Sequence, residues 1–310
     1  AAMRIAFVRW HSFASKDFYK HVFFRTLSIF LAGTFIHAFP FIQQDWDWSS
    51  FRIMGVLQRI ALAYGIAAIM VIHLDLKKIF ISALGILLAY WGILWIGGGE
   101  DPYSLEHNLI RKIDIFLLGE SHLYGGTGIQ FDPEGLLSTI PSVVTVLIGY
   151  LVGSMLHTTK DFLDNVKRMS TFGIGLMIVG IFWGLLFPIN KQLWTSSYVL
   201  FTGGIATLIL SSLCFMIDIK KWKKPLWVFQ IFGTNSIFLF VLSGLWTKII
   251  LRLRFDLEGQ SISGYGYLYK TLFVPIGGDM FGSLLFAFAH LVGFWLVLLW
   301  LYRKKIFINL

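Results

Sequence analysis

The chain is poor in charge. Asp, Glu, Lys and Arg make up 14% of its 310 residues, where a soluble domain carries about 25%. Hydrophobic residues reach 56% and the mean hydropathy is +0.72. These values exclude an ordinary soluble domain and imply a polytopic membrane protein. A single cysteine, Cys214, lies in an apolar run. It excludes an intrachain disulfide and reads as a packing residue. There is no Gly-x-Ser-x-Gly elbow, no phosphate-binding P-loop and no clustered set of metal ligands. Internal repeats are missing too, and with them the inverted-repeat sign of many transporters. Residue 1 is not Met, and AAMRIAFVRW lacks the basic lead of a signal peptide. It reads as the tail of a helix that begins upstream, so the expectation is an N-terminally truncated chain.

Long apolar runs are what the chain does have. Spans are expected near 22–39, 52–73, 79–97, 136–157, 170–188, 196–217, 226–249 and 281–302. The fold class is therefore all-α: one polytopic membrane helix bundle over 1–310, with about eight full transmembrane helices plus an N-terminal partial helix. Eight spans put both ends on one side. On that side fall 17 cations, among them Lys77, Lys78, Lys220, Lys221 and Arg303–Lys305, against five acids; the other side has nine cations and twelve acids. Lys and Arg accumulate in the cytoplasm. Both ends are thus expected to be cytoplasmic, and the net charge of +9 is orientation bias rather than a nucleic-acid face.

One polar stretch, 110–141 (IRKIDIFLLGESHLYGGTGIQFDPEGLLSTIP), organises the far side. With the residues just before it, it holds His107, His122, Glu106, Asp114, Glu120, Asp132 and Glu134. Asp132-Pro133-Glu134-Gly135 spells a helix start: an Asp to cap, Pro at the first helical position, Glu in the first turn. The loop reads either as the roof of a site or as a solvated connection with an ordinary cap.

Several polar groups fall where lipid should not tolerate them. Arg59 lies inside the second span, and its spacing from Arg52 puts the two on one helical face; Gln58 is its neighbour. A guanidinium at that depth needs an anion or a wet cavity. Its partner is either the Asp132/Glu134 pair, an upstream acid or a bound anionic ligand. Gly233-Thr234-Asn235-Ser236 sits in the seventh span, and Thr202-Gly203-Gly204 in the sixth. Each reads either as helix-to-helix packing or as the wall of a cavity. His37 and His290 read as hydrogen-bonded structural residues.

FRIMGVLQRIALAYG, IDIFLLGESHLY, DPEGLLSTIPSVVTVLIGYLVG, LWTSSYVLFTGG, FGTNSIFLFVLSG and YRKKIF together, in this order, resemble the heparan-alpha-glucosaminide N-acetyltransferase family from about residue 22 to 310. The resemblance implies a transmembrane N-acetyltransferase that moves acetyl from cytosolic acetyl-CoA to the amine of a terminal glucosamine or related amino sugar on the periplasmic side. It implies acetyl-CoA as co-substrate and no metal. The partners are membrane lipid and a glycan acceptor, not nucleic acid, with a homodimer left open; the location is a bacterial inner membrane. The family's catalytic histidine lies in a far-side loop before the position of residue 1, and none of the eight histidines here takes that place.

On that reading Arg52, Gln58, Arg59, His122, Asp132, Glu134, Asn235 and Ser236 are the substrate-binding candidates. Asp132 and Glu134 stand at the sugar end, Arg52 and Arg59 pair with or position them, and Asn235 lies in the pocket wall. Arg303, Lys304 and Lys305 suit the phosphates of CoA. The alternatives are a transporter of amino sugars or oligosaccharides, using the same polar core without covalent chemistry, and an O-acyltransferase acting on envelope polysaccharide.

Overall fold

A computed structural model describes residues 15–41, 47–156, 159, 161–222 and 224–308. The N-terminal partial helix expected over 1–10 lies outside the described residues. In order the elements are α1 (Lys16–Ala38), α2 (Val56–His73), α3 (Leu76–Gly97), α4 (Leu109–Leu118), α5 (Leu136–Met155), α6 (Phe162–Trp183) and α7 (Ser196–Cys214). Then come α8 (Trp227–Thr234), α9 (Ser236–Arg252), β1 (Arg254–Leu257), β2 (Gln260–Ser263), α10 (Gly264–Leu268) and α11 (Val274–Arg303). Among the described residues, seven helical stretches are long and apolar enough to cross a membrane, and α8 with α9 makes an eighth if that bent pair is one span. At 1.5 Å per residue, about 20 residues cover the ~30 Å hydrocarbon core. The protein is an all-α integral membrane bundle.

The described residues form two compact units, one of those within 15–37 and 47–222, the other of those within 38–41 and 224–308. In the first, α5 is the central helix. Its Val143, Val144, Leu147 and Val152 pack with Ala63, Ala67 and Ala68 of α2, Leu87 of α3, Met169 of α6 and Val199 of α7. Small residues let these backbones close. A Cβ on Gly204 would stand 2.6 Å from the Gly173 carbonyl oxygen and 2.7 Å from the Met177 nitrogen, so this glycine is where α7 meets α6. Of the two readings of Thr202-Gly203-Gly204, Gly204 realises helix packing. A smaller cluster of Tyr90, Leu94, Ile110, Phe131, Phe187 and Leu193 floors the connections at one end of this unit.

The second unit departs from the sequence expectation in the seventh span, which is not continuous: α8 and α9 meet at Asn235 with a 77° bend. The stretch between the spans expected at 226–249 and 281–302 is structured. It holds an antiparallel hairpin, Arg254 opposite Ser263 through Leu257 opposite Gln260. Glu258 and Gly259 both have positive φ (55° and 77°), the two-residue geometry that matches strand twist. Helix follows directly from Gly264, with a wider-wound turn at Tyr269–Phe273 and a break at Gly278 (φ 67°) inside α11.

Candidate functional site

The site lies at the end of the first unit where α1 leads into α2, α3 into α5 and α6 into α7. Its frame begins with the segment before α2. His122 Nδ1 donates to the Phe51 carbonyl (2.7 Å), Ile53 N donates to the His122 carbonyl (3.4 Å), and Ser121 Oγ donates to the Ser49 carbonyl (2.6 Å). His37 Nδ1 donates to the carbonyl of Arg52 itself (3.1 Å). Residue 52 is therefore clamped on both flanks, and α2 begins only at Val56. The expectation that Arg52 and Arg59 share a helical face is corrected here. Residues 51–55 lie outside any helix, so helical spacing does not relate the two residues.

They converge all the same, on the turn before α5. Arg52 Nε donates to Asp132 Oδ2 (2.9 Å), and its Nη2 donates to Asp132 Oδ1 (2.7 Å) and Glu134 Oε2 (2.9 Å). The Asp132 side chain is fully buried, and the Arg52 guanidinium lies 4.7 Å over the Tyr124 ring. Burial by itself would lower the Arg52 pKa; the hydrogen bonds and charges of Asp132 and Glu134 outweigh it and raise it. Such forked, charge-assisted contacts are the strong ones. Arg59, 4% exposed, works on the backbone instead. Its Nη2 donates to the Pro133 carbonyl and Ser138 Oγ, and its guanidinium lies 4.6 Å from the Trp194 ring. Nε and Nη1 of Arg59 have no partner among the described residues. Of the partners expected for Arg59, the acid pair is taken by Arg52.

The helix start at Asp132-Pro133-Glu134-Gly135 is also corrected. α5 begins at Leu136, after Gly135, and Asp132 does not cap it. Asp132 instead closes a turn, accepting from Glu134 N at Oδ1 (3.0 Å) and from Gly135 N at its carbonyl (3.0 Å), while Arg52 takes its carboxylate. The cap comes from α4: Asp114 Oδ1 accepts from Leu136 N (3.0 Å) and Leu137 N (3.3 Å). Asp114 is wholly buried. Burial pushes its pKa up to about 6, against the pull of the two amides.

Above this turn opens a polar pocket of about 380 Å³ lined by Arg52, Tyr124, Pro133, Glu134, Lys191 and Gln192. Lys191 and Gln192 come from the connection between α6 and α7. Asn190 Oδ1 accepts from Gln192 N (2.8 Å) and Leu193 N (3.3 Å), and Thr195 Oγ1 caps α7 at Tyr198 N (3.3 Å). Sequence reasoning missed Tyr124, Lys191, Gln192 and the role of Asp114. The available signal was a short connection, INKQLWT, whose Asn and Thr both favour turns.

The remaining candidates lie elsewhere. Gln58, 1% exposed, packs against Gly33 of α1, and neither end of its amide finds a partner among the described residues. His122 holds the backbone around Arg52 and is absent from the pocket lining. Asn235 and Ser236 belong to the second unit. There the buried Asn235 amide donates to the Ile306 carbonyl (3.1 Å) and accepts from Ile308 N (2.7 Å), tying the bend to the C-terminal residues. Ser236 is the first residue of α9. Arg303 ends α11, and Lys304 and Lys305 follow it, all exposed. His290 Nδ1 donates to the Phe286 carbonyl within α11 (2.9 Å).

Two curated proteins are similar to this chain. Heparan-alpha-glucosaminide N-acetyltransferase of Homo sapiens is 28% identical over 249 residues, taking in 63% of this chain and 37% of the human protein. That of Mus musculus is 28% identical over 250 residues, 63% of this chain and 38% of the mouse protein. The chain is similar to these acetyltransferases over part of its length. The match spans little more than a third of the length of either relative. No protein-family model matches the chain.

Proposed function

We propose that this protein is a membrane N-acetyltransferase that takes acetyl from cytosolic acetyl-CoA and places it on the amine of a terminal glucosamine or related amino sugar held at the far-side end of the first unit. The observation that carries this reading is the polar pocket over the Arg52–Asp132–Glu134 cluster, in a chain similar over part of its length to proteins of that name. A cationic amino sugar needs an anion and several hydrogen-bonding groups in one small volume. Glu134 supplies the anion. One of its oxygens is held by Arg52, and the other takes no hydrogen bond from the described residues. Lys191 and Gln192 supply donors, and Gln192 an acceptor as well, for sugar hydroxyls.

In this mechanism Glu134 pairs with the sugar ammonium and first takes one proton from it, which frees the nitrogen lone pair to attack the thioester carbonyl. The carbon–sulfur bond then breaks, the nitrogen gives up its second proton as the amide forms, and the departing thiolate takes up that proton to leave as the thiol. Asp132 stays locked to Arg52 and keeps Glu134 aimed. Counted on eight alternating spans, the cation excess that includes Lys220, Lys221 and Arg303–Lys305 supports a cytoplasmic placement of those residues and suits the phosphates of CoA.

The test is acetylation of glucosamine by the purified full-length protein in lipid nanodiscs with acetyl-CoA. Glu134→Gln is expected to lower kcat/KM by about 10²-fold or more, the usual worth of a positioned base. Protein that neither binds acetyl-CoA nor acetylates the sugar would refute the reading. Sugar uptake into proteoliposomes without acetyl-CoA would point to a carrier instead.

A further inference from the structure

Asp114 is a buried carboxylate that the mechanism above does not use. It lies on α4, outside the membrane-spanning helices, and reaches across to the first two amides of α5. A helix of this kind ordinarily carries its own cap. Here the cap position is Gly135, which has no side chain to offer. A Cβ there would overlap Asp114 Oδ2 and come within 3.1 Å of the Asp132 carbonyl oxygen. Glycine at 135 and aspartate at 114 therefore fit as a pair. The turn between them carries Asp132 and Glu134, and both meet Arg52.

We propose that Asp114 is a positioning residue for the acceptor pocket: its carboxylate caps α5 from α4 and so holds the 132–137 turn in the shape that presents Glu134 to Arg52 and to the sugar. This rests on the acetyltransferase reading of that pocket.

A consequence concerns protons. Asp114 Oδ2 is buried and has no hydrogen-bond partner among the described residues. The charged and titratable groups around the carboxylate are Asp132 on the turn, Arg59 on α2 and the Tyr90 hydroxyl on α3. Ionised, Asp114 gives both amides a charge-assisted acceptor. Protonated, it is a weaker acceptor, and Oδ2 becomes a donor beside the turn. Burial raises the pKa to about 6 in this setting, so the held turn takes the proton more readily than a released and solvated one does.

The test compares full-length wild type, Asp114→Asn and Asp114→Ala at neutral pH, with KM and kcat measured for glucosamine. KM should rise on the order of fivefold in Asp114→Ala, the factor that one lost cap is worth, and by less in Asp114→Asn, which keeps an acceptor for the two amides. The kcat of Asp114→Ala should fall as well, because the same turn aims Glu134, and Asp114→Asn should recover part of it. KM and kcat unchanged in Asp114→Ala would overturn the proposal. Hydrogen exchange at Leu136 and Leu137 gives a readout independent of turnover. At neutral pH, exchange there should speed up in Asp114→Ala and, to a smaller degree, in Asp114→Asn. If no protein acetylates, the functional reading has failed by itself, and exchange that is unchanged in both variants would overturn this inference separately.

Discussion

Gly135→Ala should be among the most damaging single-methyl changes in the first unit, although the backbone at 135 (φ −64°, ψ 176°) suits alanine. The harm is steric and has one target: the added Cβ would occupy the place of Asp114 Oδ2. Asp114 must swing away and release the amides of Leu136 and Leu137. Losing a cap costs about 0.5–2 kcal/mol. Leaving buried donors and a buried carboxylate unsatisfied adds about 1–3 kcal/mol. Because the two terms overlap, the expected loss is roughly 2–4 kcal/mol.

In an Asp114→Ala background the space is already empty. There Gly135→Ala should cost less than about 0.5 kcal/mol, or even stabilise slightly by stiffening the unfolded chain. A double-mutant cycle measured by reversible unfolding in detergent should thus show about 2–3 kcal/mol of coupling between the two sites. Independent sites add to within about 0.5 kcal/mol; additivity of that quality would refute the account of how α5 is capped.

Stability against pH should carry the mark of the same carboxylate. Its folded pKa of about 6 lies above the 3.8 of a free side chain, so the folded state holds the proton more tightly. The contribution is fully present below about pH 4 and is lost as pH rises through 6, an amount on the order of 3 kcal/mol. Unfolding free energy should fall from pH 4 to 7 in the wild type and change less in Asp114→Asn; equal slopes would contradict this. At the helix contact, Gly204→Ala meets backbone of α6, whereas Gly203→Ala meets only the Ile148 side chain at 3.2 Å. Thermal unfolding should show the first losing about 1–3 kcal/mol and the second under about 1 kcal/mol, and equal effects would count against a backbone contact.

The apolar spans were legible in the sequence because hydropathy is a sum over neighbours along the chain, and α3 and α7 fall close to their expected places. The DPEG turn and its acids were likewise visible as the point where polar chain enters a span. Two misreadings came from local patterns overruled by distant partners. Asp132 has the residue type of a cap, but Arg52, 80 positions away, binds it with two nitrogens. Arg52 has helical spacing from Arg59, but it lies before α2, in a segment held by hydrogen bonds with His37 and His122. The hairpin turn at Glu258-Gly259 carried a fair local signal, with glycine between two short polar-apolar stretches.

Composition and hydropathy pattern alone therefore determined that this chain crosses a membrane as helices and which stretch holds the acids. Tertiary structure alone decided that Asp114 caps a helix it does not belong to. It alone brought Lys191 and Gln192 over Glu134, and made Asn235 a bend tied to the C-terminal residues. The physical difference is range. Transfer to lipid is scored residue by residue, whereas a buried polar atom takes whichever partner the packed helices bring within about 3 Å, at any distance along the chain.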